Sequence, residues 1–144
     1  MRRVAISEAG YRNSLLRIAL AHGHEWDPIQ YRKGRLNNFL MKREDVPASS
    51  VARGMLREIS HVHLNGDHSV HVTLSPQDCI KVLDAGWGQR HGLAGVETLK
   101  LLAGFALSSQ YILLYAPRDI AEIQTIMEIV QASIGYTSDG QMGQ

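Results

Sequence analysis

Cysteine is almost absent from this chain, so disulfides cannot hold its fold together. Cys79 is the single cysteine among 144 residues, and stability must therefore come from a hydrophobic core. Because Cys79 falls inside a predicted helix, we expect a small buried side chain with little reactivity. The sequence does not indicate a thiol enzyme.

Long apolar runs and a strong charge imbalance are also missing. No apolar stretch approaches the length of about 18 residues that a membrane-spanning helix needs, and the first residues, MRRVAISEAG, lack the apolar segment of a signal peptide. The net charge is only +1, whereas a protein that binds nucleic-acid phosphates needs a concentrated basic surface. We expect a soluble, cytoplasmic protein with no membrane span and no nucleic-acid partner.

Nucleotide and hydrolase motifs are missing as well. The chain has no P-loop and no Gly-x-Ser-x-Gly elbow. Gly86-Trp87-Gly88 is too short to be a dinucleotide-binding fingerprint. With 44% hydrophobic and 20% charged residues, the composition is that of an ordinary globular domain.

Histidine, by contrast, is concentrated in one stretch. Five of the seven histidines lie between residues 57 and 95, namely His61, His63, His68, His71 and His91. In the runs 61–64 and 70–74, histidine or threonine alternates with valine or leucine, and such alternation predicts strands with one buried face. The turn residues Asn65-Gly66-Asp67 lie between the runs, so we predict an antiparallel hairpin.

Two registers keep the faces of this hairpin unmixed. A three-residue loop places His61 opposite His71, and a five-residue loop places His63 opposite His71. In both registers one face is apolar, and the other carries three imidazoles together with Thr73. Opposed side chains lie about 5 Å apart at their Cβ atoms, so the rings can share a substrate or a proton.

The remaining patterns predict an α+β fold. Residues 76–85 follow a serine N-cap and stop at a glycine, as helices do, and an apolar stripe predicts a last helix over 120–135. The apolar run 111–115 predicts a central strand, and residues 88–94 an additional one. We therefore predict a two-layer sandwich, in which a small, mainly antiparallel sheet (hairpin 58–74 and strand 111–115) is packed by helices 76–85 and 120–135.

The N-terminal third is predicted to be an extension of this domain. Residues 1–48 form helices and loops in this interpretation, with a helix over 36–42. The linker-like composition of residues 45–50 marks the boundary. The compact domain then spans 49–137, and residues 138–144 form a flexible tail.

The histidine face admits three interpretations from the residues alone. Its imidazoles could ligate zinc or iron, which commonly take two or three histidines with a carboxylate. Alternatively, they act as acid–base groups while Arg90, His91 and Arg118 hold an anion. In the third interpretation they are satisfied by backbone and water and have no chemical role. The residues available to a metal are His61, His63 and His71.

Several motifs occur together and in order. They are Arg57-Glu58-Ile59-Ser60-His61-Val62-His63, Ser69-Val70-His71-Val72-Thr73-Leu74, Gly86-Trp87-Gly88-Gln89-Arg90-His91, Leu114-Tyr115-Ala116-Pro117-Arg118 and Ala132-Ser133-Ile134-Gly135-Tyr136. With these motifs, residues 55 to 137 resemble the fungal luciferase domain family. Gly92 departs from the family's pattern, which usually has proline at that position.

The resemblance implies an enzyme whose luminous relatives oxidise 3-hydroxyhispidin with molecular oxygen. That reaction releases carbon dioxide and light and needs no added metal or organic cofactor. We accordingly expect a luciferase-like oxygenase that acts on a small phenolic or pyrone substrate, with oxygen as its co-substrate. The alternatives are a metal-dependent enzyme that uses zinc or iron and a small-molecule-binding homologue without turnover.

The resemblance also implies roles for residues of the motifs. A histidine would remove the enol proton of the substrate, an arginine would stabilise the enolate, and aromatic rings would stack on the flat pyrone. The predicted catalytic residues are His61, His63, His71, His91, Arg90 and Arg118. The predicted substrate-binding residues are Trp87, Thr73 and Tyr115.

Overall fold

Six strands form one antiparallel sheet in the computed structural model, which describes residues 29–33, 37–45, 48–63, 69–103 and 107–139. For residues 29–33, 37–39, 42, 63, 99–100 and 139 it describes the backbone alone. The strands are β1 (Ile29–Lys33), β2 (Asn37–Lys42), β3 (Glu58–His63), β4 (Val70–Thr73), β5 (Gly88–Arg90) and β6 (Tyr111–Leu114). Their order across the sheet is β1-β2-β3-β4-β6-β5, and each neighbouring pair is antiparallel.

Four helices accompany the sheet in the described ranges: α1 (Ser50–Gly54), α2 (Pro76–Asp84), α3 (Thr98–Ala103) and α4 (Ile120–Asp139). Helix α4 packs against β3 and β4, and α2 packs against β5. Between these two helices and one face of the sheet lies the buried core, which includes Val62, Val72, Ile112, Leu114, Ile126 and Val130. The predicted α+β two-layer sandwich is confirmed.

The predicted helix over residues 36–42 is wrong, because residues 37–42 form β2. Leu40 is fully buried there and lies opposite Ser60 of β3. In so short a run, helical periodicity cannot be told from that of a buried strand, and the pairing with β3 decides the outcome. The sheet thus continues through β2 and β1, across the proposed boundary at residue 48. Residues 1–28 of the predicted extension and the tail from residue 140 lie outside the described residues.

The histidine hairpin has the register that a three-residue loop requires. His61 lies opposite His71, and Val62 lies opposite Val70. Both valines are buried in the core, so the alternation in the sequence does separate an apolar face from an imidazole face. The loop residues 64–68 lie outside the described residues.

A β-bulge interrupts the alternation at the start of β3. The pairing of β2 with β3 skips Ile59, which is therefore the extra residue. Ile59 is buried in the core, while the carboxylate of Glu58 is hydrogen-bonded to the ring of His61. In a regular strand, two residues that are three positions apart point to opposite faces. The bulge is what brings Glu58 and His61 together.

Ser133 of α4 links the helix layer to this bulge. Its hydroxyl is completely buried, 2.7 Å from the carbonyl oxygen of Thr73 and 3.2 Å from that of Ile59. A single O–H group can donate fully to one acceptor at a time, and the shorter contact is to Thr73. The contact joins α4 to both β3 and β4.

Ser133→Ala is expected to lower the free energy of unfolding by about 1–3 kcal/mol, because the buried carbonyl of Thr73 loses a hydrogen-bond donor. Urea denaturation of this variant beside Ser109→Ala, whose side chain is exposed, provides the measurement and its control. The control should stay within about 0.5 kcal/mol of the parent protein. Equal midpoints for the two variants would show that Ser133 does not hold the layers together.

Candidate functional site

Three histidines and a tyrosine meet on the face of the sheet opposite α2 and α4. The cross-strand neighbours His61 and His71 have ring centroids 4.5 Å apart, and the centroids of His71 and His91 are 5.3 Å apart. The ring of Tyr111 is centred 5.6 Å from that of His71 and 5.3 Å from that of His91. We call these four residues the histidine cluster.

Strands β3, β4 and β6 carry three members of the cluster, and His91 follows directly after β5. The N–H of His91 donates to the carbonyl of Tyr111 at 3.0 Å, which extends the β5–β6 pairing by one residue. This pairing needs Gly88, because a Cβ at that position would lie 2.3 Å from the carbonyl oxygen of Leu113. The position of His91 in the cluster therefore depends on a glycine in the strand that precedes it.

The histidine cluster is largely shielded from water. His61, His71 and Tyr111 expose 8%, 6% and 4% of their surface, whereas His91 is half-buried. The cluster thus reaches solvent at His91, the side from which a small molecule can approach.

Glu58 contacts the histidine cluster, although it was not among the predicted site residues. Its Oε1 is hydrogen-bonded to Nδ1 of His61. The hydroxyl of Tyr111 lies 3.5 Å from the same carboxylate oxygen and 3.4 Å from the same ring nitrogen. Strand alternation alone would place Glu58 on the core face, so no pattern in the sequence predicts the contact between Glu58 and His61.

Tyr111 was also missed, and its environment keeps it a neutral phenol. Burial, followed by the charge of Glu58 and the hydrogen bond to it, raises the pKa of the Tyr111 hydroxyl well above its usual value. The hydroxyl is therefore a hydrogen-bond donor rather than a base at physiological pH. In the sequence, Tyr111 opens a continuous apolar run in which no alternation marks the face of each residue.

The turn after β5 determines which ring nitrogen of His91 carries the proton. The N–H of Leu93 donates to Nδ1 of His91 at 3.1 Å, so the neutral ring has its proton on Nε2. His91 is therefore a donor at Nε2. In His71, Nε2 lies 3.4 Å from the hydroxyl of Ser69, a contact that either tautomer can make.

Two of the predicted substrate-binding residues lie in or directly after strands that carry the histidine cluster, without joining it. Thr73 lies opposite Tyr111 in the sheet and is fully buried, and its hydroxyl has no hydrogen-bond partner among the described residues. Tyr115 follows β6, is 47% exposed, and donates its hydroxyl to the side-chain oxygen of Gln89 at 3.3 Å. Of the two, only Tyr115 presents surface to a ligand.

The two predicted arginines are not brought to the histidine cluster. Arg90 lies opposite the core residue Ile112, so alternation directs it to the helix face, and its guanidinium donates to the carbonyl of Ser109 at 2.5 Å. Arg118 forms an exposed ion pair with Glu122, and the hydrogen bond between them lowers the pKa of that carboxyl group. Neither arginine is therefore placed to stabilise an anion at the cluster.

Trp87 lies on the helix side of the sheet. At the end of α2, the N–H groups of Gly86 (φ 76°) and Trp87 donate to the carbonyls of Leu83 and Val82 at 3.0 and 3.1 Å, which is a Schellman motif. The indole consequently packs against the core and, with Val82 and Ile129, lines a groove of about 380 Å³ between α2 and α4. The predicted stacking residue and the histidines are thus on different faces.

The metal interpretation remains a prediction. The side chain of His63 lies outside the described residues, and among the side chains that are described no group of three has the arrangement of a metal site. The hydrogen bond between His61 and Glu58 is compatible with a metal on the other ring nitrogen and equally with an acid–base role.

Cys79 is expected to resist thiol reagents in the folded protein. Its sulfur is buried, 3.6 Å from the carbonyl oxygen of Gln110, and burial raises the pKa of the thiol. Both effects reduce the thiolate that a reagent can reach. Ellman's reagent should react slowly in buffer at mildly alkaline pH and fully in concentrated guanidinium chloride. Rapid reaction in buffer would contradict the buried position.

Comparison with known proteins identifies the family. The family model described as luciferase domain matches residues 56–133. The chain belongs to the luciferase domain family. Among curated relatives, the luciferase of Armillaria mellea is 35% identical over 100 residues, and that of Neonothopanus nambi is 37% identical over 99 residues. Each match covers 69% of this chain but only 35% of the relative, so the chain spans about a third of the length of these luciferases.

The luciferase domain match contains the whole candidate site. Glu58 and the four residues of the histidine cluster all fall within residues 56–133, and the resemblance indicated by the motifs is confirmed. No solved structure matches the chain. No helix within the described ranges is long and apolar enough to cross a membrane.

Proposed function

We propose that this luciferase-domain protein is an oxygenase that oxidises a hydroxypyrone-type luciferin, such as 3-hydroxyhispidin, with loss of carbon dioxide. Molecular oxygen is the oxidant, and no metal or organic cofactor takes part. The observation that carries the proposal is the histidine cluster, which lies inside the matched luciferase domain. The curated relatives carry the name luciferase, and the fungal family resemblance supplies the substrate class.

Removal of the proton from the enol hydroxyl of the luciferin is the first step. His61 is the base, because it is buried in the cluster and a carboxylate holds its Nδ1. The O–H bond of the substrate breaks and an N–H bond forms on the imidazole. The enolate that remains is more electron-rich than the enol and can transfer electrons to oxygen.

The enolate needs hydrogen-bond donors, and the histidine cluster offers two. Nε2–H of His91 is one, because Nδ1 of that ring accepts from Leu93. The hydroxyl of Tyr111 is the other, because its contacts to Glu58 and His61 are long enough to yield to a stronger acceptor. A preorganised donor of this kind contributes about 3–4 kcal/mol to the stability of a developing anion.

The aromatic character of the cluster matches a flat, conjugated substrate. Each of the four rings lies within stacking range of at least two of the others, and Tyr115 adds an exposed ring near the end of β6. Offset and edge-to-face packing against a pyrone are geometries that aromatic groups favour. Shielding of the cluster from water also protects an electron-rich enolate from protonation.

Oxygen uptake and photon emission, recorded after metal-stripped protein is mixed with 3-hydroxyhispidin, test the proposal. We expect oxygen consumption without added metal, accompanied by release of carbon dioxide. Oxygen uptake without light would support the oxygenase activity and exclude luminescence. Uptake only after addition of zinc or iron would instead establish a metal-dependent enzyme. If the protein bound 3-hydroxyhispidin but consumed no oxygen, it would be a non-catalytic homologue.

A further inference from the structure

We propose that Glu58 is a positioning residue, which holds His61 in the tautomer and orientation that proton abstraction requires. This inference rests on the proposed function, since it assigns a partner to the base of that reaction. The carboxylate does not contact the substrate in this account. It acts through the imidazole of His61.

The chemistry of the contact determines the tautomer. A carboxylate has no proton to donate, so the hydrogen bond between Glu58 and His61 requires the proton on Nδ1 of the ring. The lone pair of the neutral imidazole is then on Nε2, which becomes the proton acceptor. When the substrate proton arrives at Nε2, the imidazolium lies directly beside a negative charge, which stabilises it.

The backbone makes this contact specific. Glu58 reaches His61 only because Ile59 is the extra residue of a bulge, and bulges commonly redirect a side chain next to a functional site. The hydroxyl of Ser133 approaches the carbonyl of Ile59 from α4, so the bulge is held from the helix layer. The side chain of Glu58 is only 20% exposed, which limits competition from water.

His91 has the opposite proton arrangement. The amide of Leu93 occupies its Nδ1, whereas in His61 the carboxylate of Glu58 occupies Nδ1. One ring therefore accepts a proton at Nε2, and the other donates a hydrogen bond from Nε2. Two groups whose surroundings assign them complementary roles are the arrangement that acid–base catalysis needs.

The tautomer can be read directly by long-range ¹H–¹⁵N correlation of the histidine rings, at a pH at which the rings are neutral. In the parent protein we expect the proton of His61 on Nδ1 and that of His91 on Nε2. This measurement needs no substrate and no variant. A parent protein with the proton of His61 on Nε2 would overturn the proposal, whether or not the protein turns over a luciferin.

Glu58→Gln supplies the kinetic test, with Glu128→Gln as its control. Glu128 is an exposed carboxylate of α4, on the helix side. We expect Glu58→Gln to lower kcat on the order of 100-fold or more, with KM nearly unchanged, because the base loses its orientation and its counter-charge. The His61 ring signals should report a changed tautomer ratio, while those of His91 and the control variant stay as in the parent.

The outcomes separate this inference from the proposed function. If the parent protein consumes no oxygen with 3-hydroxyhispidin, the proposed function fails, while the ring signals still decide whether Glu58 sets the proton of His61. If the parent is active and Glu58→Gln retains its kcat, the positioning role is excluded. A fall in kcat with unchanged His61 signals would also contradict the proposal, because the loss would then come from the missing negative charge and not from the tautomer of His61.

Discussion

Replacing His61 by glutamine is expected to lower kcat for oxygen consumption by about 10²- to 10⁴-fold, the usual contribution of a general base. Glutamine retains a polar group beside Glu58, so the carboxylate is not left without a hydrogen-bond partner. It cannot accept a proton, however, and the enol of the luciferin would then have to ionise unaided. Stopped-flow oxygen consumption at saturating luciferin measures the loss.

Arg118→Gln is the informative comparison for this experiment. Sequence motifs place both residues in the site, but the guanidinium of Arg118 is paired with Glu122 at the surface. We therefore expect a loss of less than about threefold, typical of an exposed ion pair outside the reacting groups. If His61→Gln kept full activity, or if Arg118→Gln lost more activity than His61→Gln, the reaction would not take place at the histidine cluster.

Gly88→Ala is expected to lower the free energy of unfolding by about 1–3 kcal/mol through overpacking. The new Cβ would lie 2.3 Å from the carbonyl oxygen of Leu113, and a backbone atom cannot move aside without shifting β5 from β6. Since β5 leads directly into His91, activity should fall together with stability. This double effect distinguishes Gly88 from a core residue remote from the cluster.

Gly92→Ala is the matched control, four positions along the same segment. A Cβ at Gly92 meets nothing within 4 Å, so the change should stay within about 0.5 kcal/mol. Urea denaturation monitored by circular dichroism measures both variants. Equal stability of the two alanine variants would contradict the close approach of β5 and β6 at Gly88.

Local patterns in the sequence predict much of this fold. Alternation in the hairpin separates the valines from His61 and His71, because one residue of slip would exchange the faces. The serine before α2 accepts a hydrogen bond from the N–H of Asp78, as its N-cap position predicts. Patterns of this kind depend on residues that are close together in the sequence, so contacts with distant parts of the chain do not alter the structure that they predict.

Parts of the site escape such patterns because tertiary structure decides them. Glu58 contacts His61 only because of the bulge at Ile59, which depends on the pairing of two strands. Trp87 and Arg90 stand beside His91 in one motif, yet a helix C-cap and strand alternation direct them to the other layer. Adjacency in sequence was therefore a poor guide to adjacency in space.

The same reasoning explains what some of the motif residues do. Ser133, part of a motif shared with the luciferase family, lies in the helix layer and contacts the backbone carbonyls of Thr73 and Ile59. Its position supports the bulge that carries Glu58. In this interpretation Ser133 serves the geometry of the site rather than contact with substrate.

Ring-resolved NMR of an anaerobic titration tests the central claim most directly, since without oxygen the luciferin binds and is not consumed. If the histidine cluster is the substrate site, the ring signals of His61, His71 and His91 shift together as 3-hydroxyhispidin is added, and the indole signal of Trp87 stays in place. Shifts confined to the Trp87 indole, with the histidine signals unchanged, would place the ligand in the groove between α2 and α4 and contradict the account.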